Sequence, residues 1–441
     1  MTTYWVDHAF LPTGVASSVR ITVTDGRFTE IQPRTRPQPK DVVLEGMVLP
    51  GLANGHSHAF HRALRGRTHD GGGDFWTWRE VMYAVAQRLT PDTYLALARA
   101  VFAEMALAGY TAVGEFHYLH HGPKGARYDD PNAMGRAVIQ AAEDVGIRLT
   151  LLDTCYLTGG LGGDGHHALD EIQLRFGDGD VDAWADRVSR LQDTDTVRIG
   201  AAAHSVRGVP RSALKELADV VDGRVVHAHV SEQIAENVAA QAFYGMSPTA
   251  LLADAGLVTD RFTAVHATNV EDEDVEILRD AGATVCFCPT TERDLADGIG
   301  PARRFHDAGV HLSLGSDQNA VIDPFEEIRG LEMHERLISN ERGRFSLPDL
   351  MTSASAAGYA SLGWYDGGAL CVGALADFVV VRLDTLRTAG SRPGQVLLTA
   401  TGPDVSYVVV GGRPVVVEGR HRFGPVDQLL SEALNLLRTT P

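Results

Sequence analysis

The chain is expected to fold as a TIM (β/α)8 barrel of the α/β class, with a small β-sandwich-like domain built from both termini. Three observations predict this. Apolar runs of strand length alternate with helical patterns eight times between about residue 47 and residue 315. Four of these runs end in imidazole or carboxylate side chains: His56 and His58, then His229, then His266, then Asp317. Both ends of the chain instead read as short strands joined by tight turns.

Residues 1–48 hold strand patterns at 19–23 and 27–31, joined at Asp25-Gly26, a pair suited to a two-residue hairpin turn. A Pro-rich break follows at 35–40. Residues 369–441 repeat the style, with strands at 376–381, 407–410 and 414–417, the turn Gly411-Gly412, and a terminal helix. Neither end has the apolar material for its own core, so the two are expected to pair as one domain beside a barrel at 49–368.

Within the barrel the expected strands are 47–53, 111–116, 148–154, 197–203, 224–229, 262–266, 284–288 and 311–315, with helices such as 91–107 and 212–221 between them. A doubly wound open sheet is the alternative, but it needs a Gly-rich nucleotide turn after its first strand, and none is present. The Gly-rich stretches at 70–73 and 159–165 follow no strand in that way and read as flexible loops near the barrel mouth.

With 441 residues, 44% hydrophobic and 22% charged, the chain has core material for one large domain or two ordinary ones. The net charge of −18 argues against nucleic acid or an anionic membrane as partner. A small anionic substrate is compatible, because it responds to local arginines. No leader and no membrane span are expected. Cys155, Cys286, Cys288 and Cys371 lie in apolar runs and read as reduced core thiols of a cytoplasmic protein.

In a strand, side chains i and i+2 point to the same side, so the imidazoles of His56 and His58 can converge on one ion. Taken singly, each histidine is an ordinary buried imidazole, and Asp317 an ordinary helix cap. Their recurrence at strand ends is what a barrel uses to build a site. Imidazoles with one carboxylate suit zinc, or ferrous iron as the alternative; magnesium would want more oxygen. Such an ion acidifies a bound water to a pKa of roughly 7. Two-metal barrels need a bridging anion, often a carbamylated lysine ending the fourth strand. Here that strand runs into His204-Ser205-Val206-Arg207, so one metal is expected. Glu232, three residues past His229, can take a proton from that water and pass it to a departing nitrogen. His266 is either a further ligand or, the preferred reading, a donor to the atom developing charge. His8, His69, His166, His167, His306 and His421 lack this context and are expected in solvent.

These residues resemble the pattern of the amidohydrolase superfamily, in its deaminase branch with one metal. Three segments narrow the resemblance: Asp74-Phe75-Trp76-Thr77-Trp78-Arg79-Glu80, Gly114-Glu115-Phe116-His117-Tyr118-Leu119-His120-His121 and Cys288-Pro289-Thr290-Thr291-Glu292. They look like the formimidoylglutamate deiminase family of histidine degradation, whose members hydrolyse N-formimidoyl-L-glutamate to N-formyl-L-glutamate and ammonia. The resemblance spans residues 49–421 and implies one zinc ion per chain on His56, His58, His229 and Asp317. It implies Glu232 as proton shuttle, His266 and Asp317 as its catalytic companions, and a homodimer. It also implies Arg79 and Arg207 as carboxylate-binding groups, with Tyr118 lining the pocket. A guanidinium fork matches a carboxylate bidentately, as a dicarboxylate substrate would require. Two departures stand out: His61 replaces the family's Gln at a substrate-contacting position, and Gln318 replaces a Ser. Phe75, Trp76 and Trp78 are expected in a lid that excludes water. The rival readings are a deaminase of nucleobases or triazine-like rings, and a non-catalytic scaffold on the same barrel, which would be expected to have lost metal ligands.

Overall fold

The computed structural model of the protein describes residues 1–68, 75–221 and 223–439, apart from the side chains of Phe75, Trp76 and Thr439. Eight parallel strands pair in chain order: Leu52–Ser57, Tyr110–His117, Arg148–Cys155, Val197–Ala203, Val226–Val230, Phe262–His266, Thr284–Phe287 and His311–Leu314. Nearly every residue in them is buried, because helices cover the outside and side chains fill the inside. Periodicity therefore gives way to continuous apolar runs.

The first and last strands meet at a parallel bridge between Ser57 and Asp317. The Asp317 amide donates to the His56 carbonyl and the His58 amide to the Asp317 carbonyl, both at 2.9 Å. Gly315 permits this approach, since a Cβ there would lie 2.8–2.9 Å from His56 atoms. The barrel thus closes at the point where three of the candidate ligands sit.

The apolar run expected as one strand at 47–53 is divided. Val42–Pro50 belongs to the terminal sheet, paired with Thr2–Leu11 and Phe378–Val381, and Leu52–Ser57 opens the barrel. Gly51 is the corner. Its amide donates to the Asp377 carbonyl at 2.9 Å, and a Cβ would come within 2.6 Å of the Thr111 and Tyr359 hydroxyls. Both sheets are buried here, so no change in hydrophobicity marks the switch.

The terminal strands form one eight-stranded mixed sheet that interleaves the two chain ends. Asp25 and Gly26, at φ 49° and 75°, make the left-handed turn their residue types favour. Tyr4, Val6, Ile21, Phe28 and Phe378 are among the side chains of its core. A buried ion pair, Arg148 Nε to Asp377 Oδ2 at 2.6 Å, ties this sheet to the third barrel strand. The terminal helix Val426–Thr439 packs on Pro91–Ala108.

Cys155, Cys286 and Cys288 are buried free thiols, but Cys371 is exposed. It sits in a turn of the chain before the Phe378–Val381 strand rather than in a strand. Among the described residues no helix is long and apolar enough to cross a membrane.

Candidate active site

The strand ends bring His56, His58, His229 and Asp317 together, with one ligand atom from each lying within 4.8 Å of the others. Two of the imidazoles are oriented by backbone: His58 Nδ1 donates to the Phe116 carbonyl and His229 Nδ1 to the His204 carbonyl, both at 2.9 Å. That leaves lone pairs on their Nε2 atoms. His229 Nε2 lies 3.2 Å from His56 Nε2, and Asp317 Oδ1 lies 3.4 Å from the Nε2 of both His56 and His58. The His58 Nε2 lone pair thus faces an anionic oxygen, which is repulsive unless a cation lies between them. A tetrahedral ion with bonds of about 2.0–2.2 Å holds its ligands roughly 3.3–3.6 Å apart, which matches these separations. The three imidazoles are held neutral, well below the usual histidine range, first by burial and then by neighbouring imidazoles. Neutral imidazole is the form that binds metal. The donor set fits a single ion with an open position.

Several of these strand ends carry residues in the left-handed region: Ser231 at φ 51°, His266 at 69°, Ala267 at 47° and Asp317 at 42°. Such backbone costs on the order of 1–3 kcal/mol each and gathers at functional sites. Here it turns the chain sharply so that consecutive side chains face the barrel mouth.

Beside the ligand cluster lies a chain of proton-bearing groups. His266 Nε2 is 3.8 Å from both Glu232 Oε1 and Asp317 Oδ2, and its Nδ1 donates to Glu292 Oε1 at 3.4 Å. Burial alone would lower His266, but Glu232, the bond to Glu292 and Asp317 outweigh it and raise it to about 10. Burial pushes Glu232 up against the pull of His266 and Arg207. Asn269 Nδ2 donates to the Ser231 and Glu232 carbonyls at 3.2 and 2.8 Å, fixing the turn that carries Glu232.

A cavity of about 380 Å³ opens onto this cluster. His58, His229, Asp317 and Glu232 line its floor, and Arg79, Arg207, Tyr118, His61 and Trp78 also face it. His56 and His266 are fully buried behind that floor. Arg207 is anchored by buried Glu236, with Nε to Oε1 at 3.3 Å, and its Nη2 lies 3.7 Å from Glu232 Oε2. Arg79 Nε donates to Tyr83 Oη at 2.6 Å. His61 Nε2 and Tyr118 Oη are 2.8 Å apart, so these residues form a pair in the cavity wall. Gln318 instead turns away and donates to Asp294 at 2.7 Å. Of the expected lid, the side chains of Phe75 and Trp76 lie outside the described residues, as does the neighbouring Gly-rich 70–73 run.

The 159–165 stretch is not a plain loop. It enters a short hairpin, Gly160–Gly162 with Gly165–His167, that borders the cavity. Of the histidines expected in solvent, His69 lies outside the described residues, His8 is 3.2 Å from Ser17 Oγ, His306 Nε2 is 3.6 Å from Asp349, and two are more deeply engaged. His421 is buried with Nε2 3.3 Å from the Val145 carbonyl, and His166 is bonded on both ring nitrogens. Sequence reading also passed over His204, which lines the cavity with its ring 5.2 Å from that of His229. Its place just past the fourth strand is the same signal that marks the candidate ligands, although it is not in their cluster. Glu236 stands in the first turn of the helix that begins just after Glu232, and a carboxylate so close past a strand end is the signal that could have marked it.

A second buried set, His117, His120 and Asp153, also has ligand atoms close together. Its carboxylate is already satisfied. Arg187 Nη1 and Nη2 donate to the two Asp153 oxygens at 2.8 Å each, Trp184 Nε1 adds a bond of 3.1 Å, and His120 Nε2 donates to the Thr154 carbonyl at 2.9 Å. This is a structural network around a neutralised carboxylate. Burial lowers His117 to about 3 and His120 to about 4. Below pH 6.5 the unfolded chain therefore gains protons that the native state excludes, at a cost of about 2 kcal/mol per histidine by pH 5. The urea midpoint is expected to fall steadily from pH 7 to pH 5; a flat profile would contradict this assignment.

Compared with known proteins, residues 47–415 match the model of the amidohydrolase family. Formimidoylglutamate deiminase of Pseudomonas aeruginosa is 37% identical over 441 residues, 96% of each chain. The 8-oxoguanine deaminase of the same organism is 27% identical over 429 residues, 93% of this chain and 92% of that one. Among solved structures, an amidohydrolase from Brucella melitensis superposes over the whole of both chains with a TM-score of 0.92 at 33% identity. An adenosine deaminase from Xanthomonas campestris with bound zinc has a TM-score of 0.84 at 23% identity, over 99% of this chain and 98% of that one, a likeness of fold. With the barrel, the ligand cluster on its closing seam and these matches in agreement, the chain belongs to the amidohydrolase family.

Proposed function

We propose that this chain hydrolyses N-formimidoyl-L-glutamate to N-formyl-L-glutamate and ammonia, as in histidine degradation, with one zinc ion per chain. The observation that carries the reading is that two arginines, Arg79 and Arg207, face the same cavity as Glu232 and the ligand cluster. A substrate with two carboxylates and an amidine matches that arrangement. Three imidazoles and one carboxylate favour zinc among the available ions. When bound, the ion would acidify a water and polarise the amidine.

The chain's own residues supply the rest. Arg207 and Arg79 orient the carboxylates, and Tyr118 with His61 shapes the wall between them and the floor. Glu232 accepts the proton of the attacking water and delivers it to the amidine nitrogen, which departs as ammonia. His266, held cationic by its three carboxylates, presents Nε2 beside Glu232 and stabilises charge developing at the reacting centre. A cytoplasmic homodimer is the accompanying expectation, testable by light scattering of the purified protein.

The second reading, a nucleobase deaminase, draws on the 8-oxoguanine deaminase likeness. Ammonia release from formimidoylglutamate, guanine, cytosine and adenosine separates the two. Turnover of the amidine alone is expected, and efficient turnover of a base with none of the amidine rejects the proposal. Arg207→Met should raise KM by about 10- to 100-fold, the scale of a charge-assisted hydrogen bond pair. An unchanged KM would remove Arg207 from carboxylate recognition.

A further inference from the structure

The cavity wall above Arg207 is held by a hydrogen-bonded chain that involves no ligand or proton-transfer group. Thr158 Oγ1 donates to the Arg207 carbonyl at 2.9 Å. Its single proton is thereby used, so at 3.0 Å it accepts from His166 Nδ1. The neutral ring then offers its Nε2 lone pair to the Tyr244 hydroxyl at 2.6 Å. Tyr244 Oη in turn accepts from the Arg211 amide at 3.3 Å. The donors and acceptors agree along the whole path, and they fix the tautomer of His166.

The path joins three pieces of the site. His166 lies in the hairpin Gly160–Gly162 and Gly165–His167, whose Gly160, Leu161 and His167 border the cavity. Tyr244 ends the helix Ile234–Tyr244, which also carries Glu236, the anchor of the Arg207 guanidinium. Gly165 lies against Phe243 of that helix at φ 123°, where a Cβ would come 3.2 Å from the ring. Arg207 is thus gripped at its side chain by Glu236 and at its carbonyl by Thr158, and both grips trace to one helix.

We infer that His166 is a positioning residue: through Thr158 and Tyr244 it latches the hairpin and the Arg207 backbone to the Ile234–Tyr244 helix, and so sets the arginine that takes a substrate carboxylate. This deepens the proposed function and rests on it for the identity of the substrate. Chains of hydrogen bonds of this kind order flexible elements at the cost of few contacts. The glycines of the hairpin make it dependent on such a latch.

The test uses the full-length, metal-loaded protein and three variants. Tyr244→Phe and Thr158→Val each remove one hydroxyl while keeping the side chain's shape, and Thr158→Ser keeps the hydroxyl. Two readouts are compared: steady-state kinetics with formimidoylglutamate, and hydrogen exchange of the backbone amides of residues 159–167. Tyr244→Phe and Thr158→Val are expected to raise KM about three- to tenfold, the scale of one hydrogen bond, with kcat within about twofold of wild type. Hairpin exchange should quicken in both, and Thr158→Ser should restore both readouts. Unchanged exchange in both deletions, or a Ser variant behaving like the Val variant, overturns the latch. A fall in kcat with KM unchanged also overturns it. Should the wild type release no ammonia from formimidoylglutamate, the proposed function fails, while the exchange comparison still decides whether the latch exists.

Discussion

Glu232→Gln is expected to lower kcat by about 10²- to 10⁴-fold, the range that a positioned general acid–base group supplies, while metal content and KM stay near wild type. The amide has the size of the carboxylate it replaces and can still lie near Arg207, which is 3.7 Å away. Glu232 is not in the group of atoms that can hold an ion together, so the ligand set should survive. What disappears is the ability to accept a proton and return it. Burial makes that ability useful, because it raises the carboxyl toward the pH at which the protein would work. Neighbouring His266 does not line the cavity and is buried behind its floor, with Nδ1 bonded to Glu292, so it is not placed to take over the proton transfer. Steady-state kinetics together with metal analysis of the variant check the expectation. A loss below about tenfold would assign the proton transfer elsewhere, and a loss of metal would show that Glu232 serves the ligand cluster instead.

The sequence shows the barrel and the ligand cluster because the same physical rule governs both. A buried parallel strand is an unbroken apolar run, and the first polar residue past its C-terminal end stands at the barrel mouth. His58 and Asp317 stand just past such ends, and His56, His229 and His266 lie in the last two residues of their strands. The rule also covers His204, just past the fourth strand. What the sequence conceals is set by contacts distant in the chain. The 47–53 run changes sheets at Gly51 without any change in polarity. The left-handed backbone at Ser231, His266 and Asp317 has no glycine to announce it, since tertiary contacts impose it. His166 looked like a surface residue because its partners, Thr158 and Tyr244, are 8 and 78 positions away. The Gly-rich segment around it carries a turn signal but no apolar alternation, so its hairpin is invisible to periodicity.

Removing the metal with a chelator should abolish turnover and lower the melting temperature, and one equivalent of zinc should restore both. The stability effect follows from the geometry of the ligands. Without an ion, the His58 Nε2 lone pair faces Asp317 Oδ1 at 3.4 Å in a buried site. A divalent ion converts that repulsion into bonds. By mass action, a ligand present at a thousand times its Kd stabilises the fold by about 4 kcal/mol. The stoichiometry follows from what is missing at the fourth strand. Val197–Ala203 leads into His204, and the lysines of the chain are Lys40, Lys124 and Lys215, none of which ends a barrel strand. Without a carbamylated lysine to bridge them, two adjacent dications would repel across the few ångströms of the barrel mouth. Elemental analysis giving one ion per chain, with activity rising linearly to one equivalent, is the expected result. Two ions per chain at full activity would require a bridging ligand that the residues around His204 do not offer, and would overturn the single-ion site.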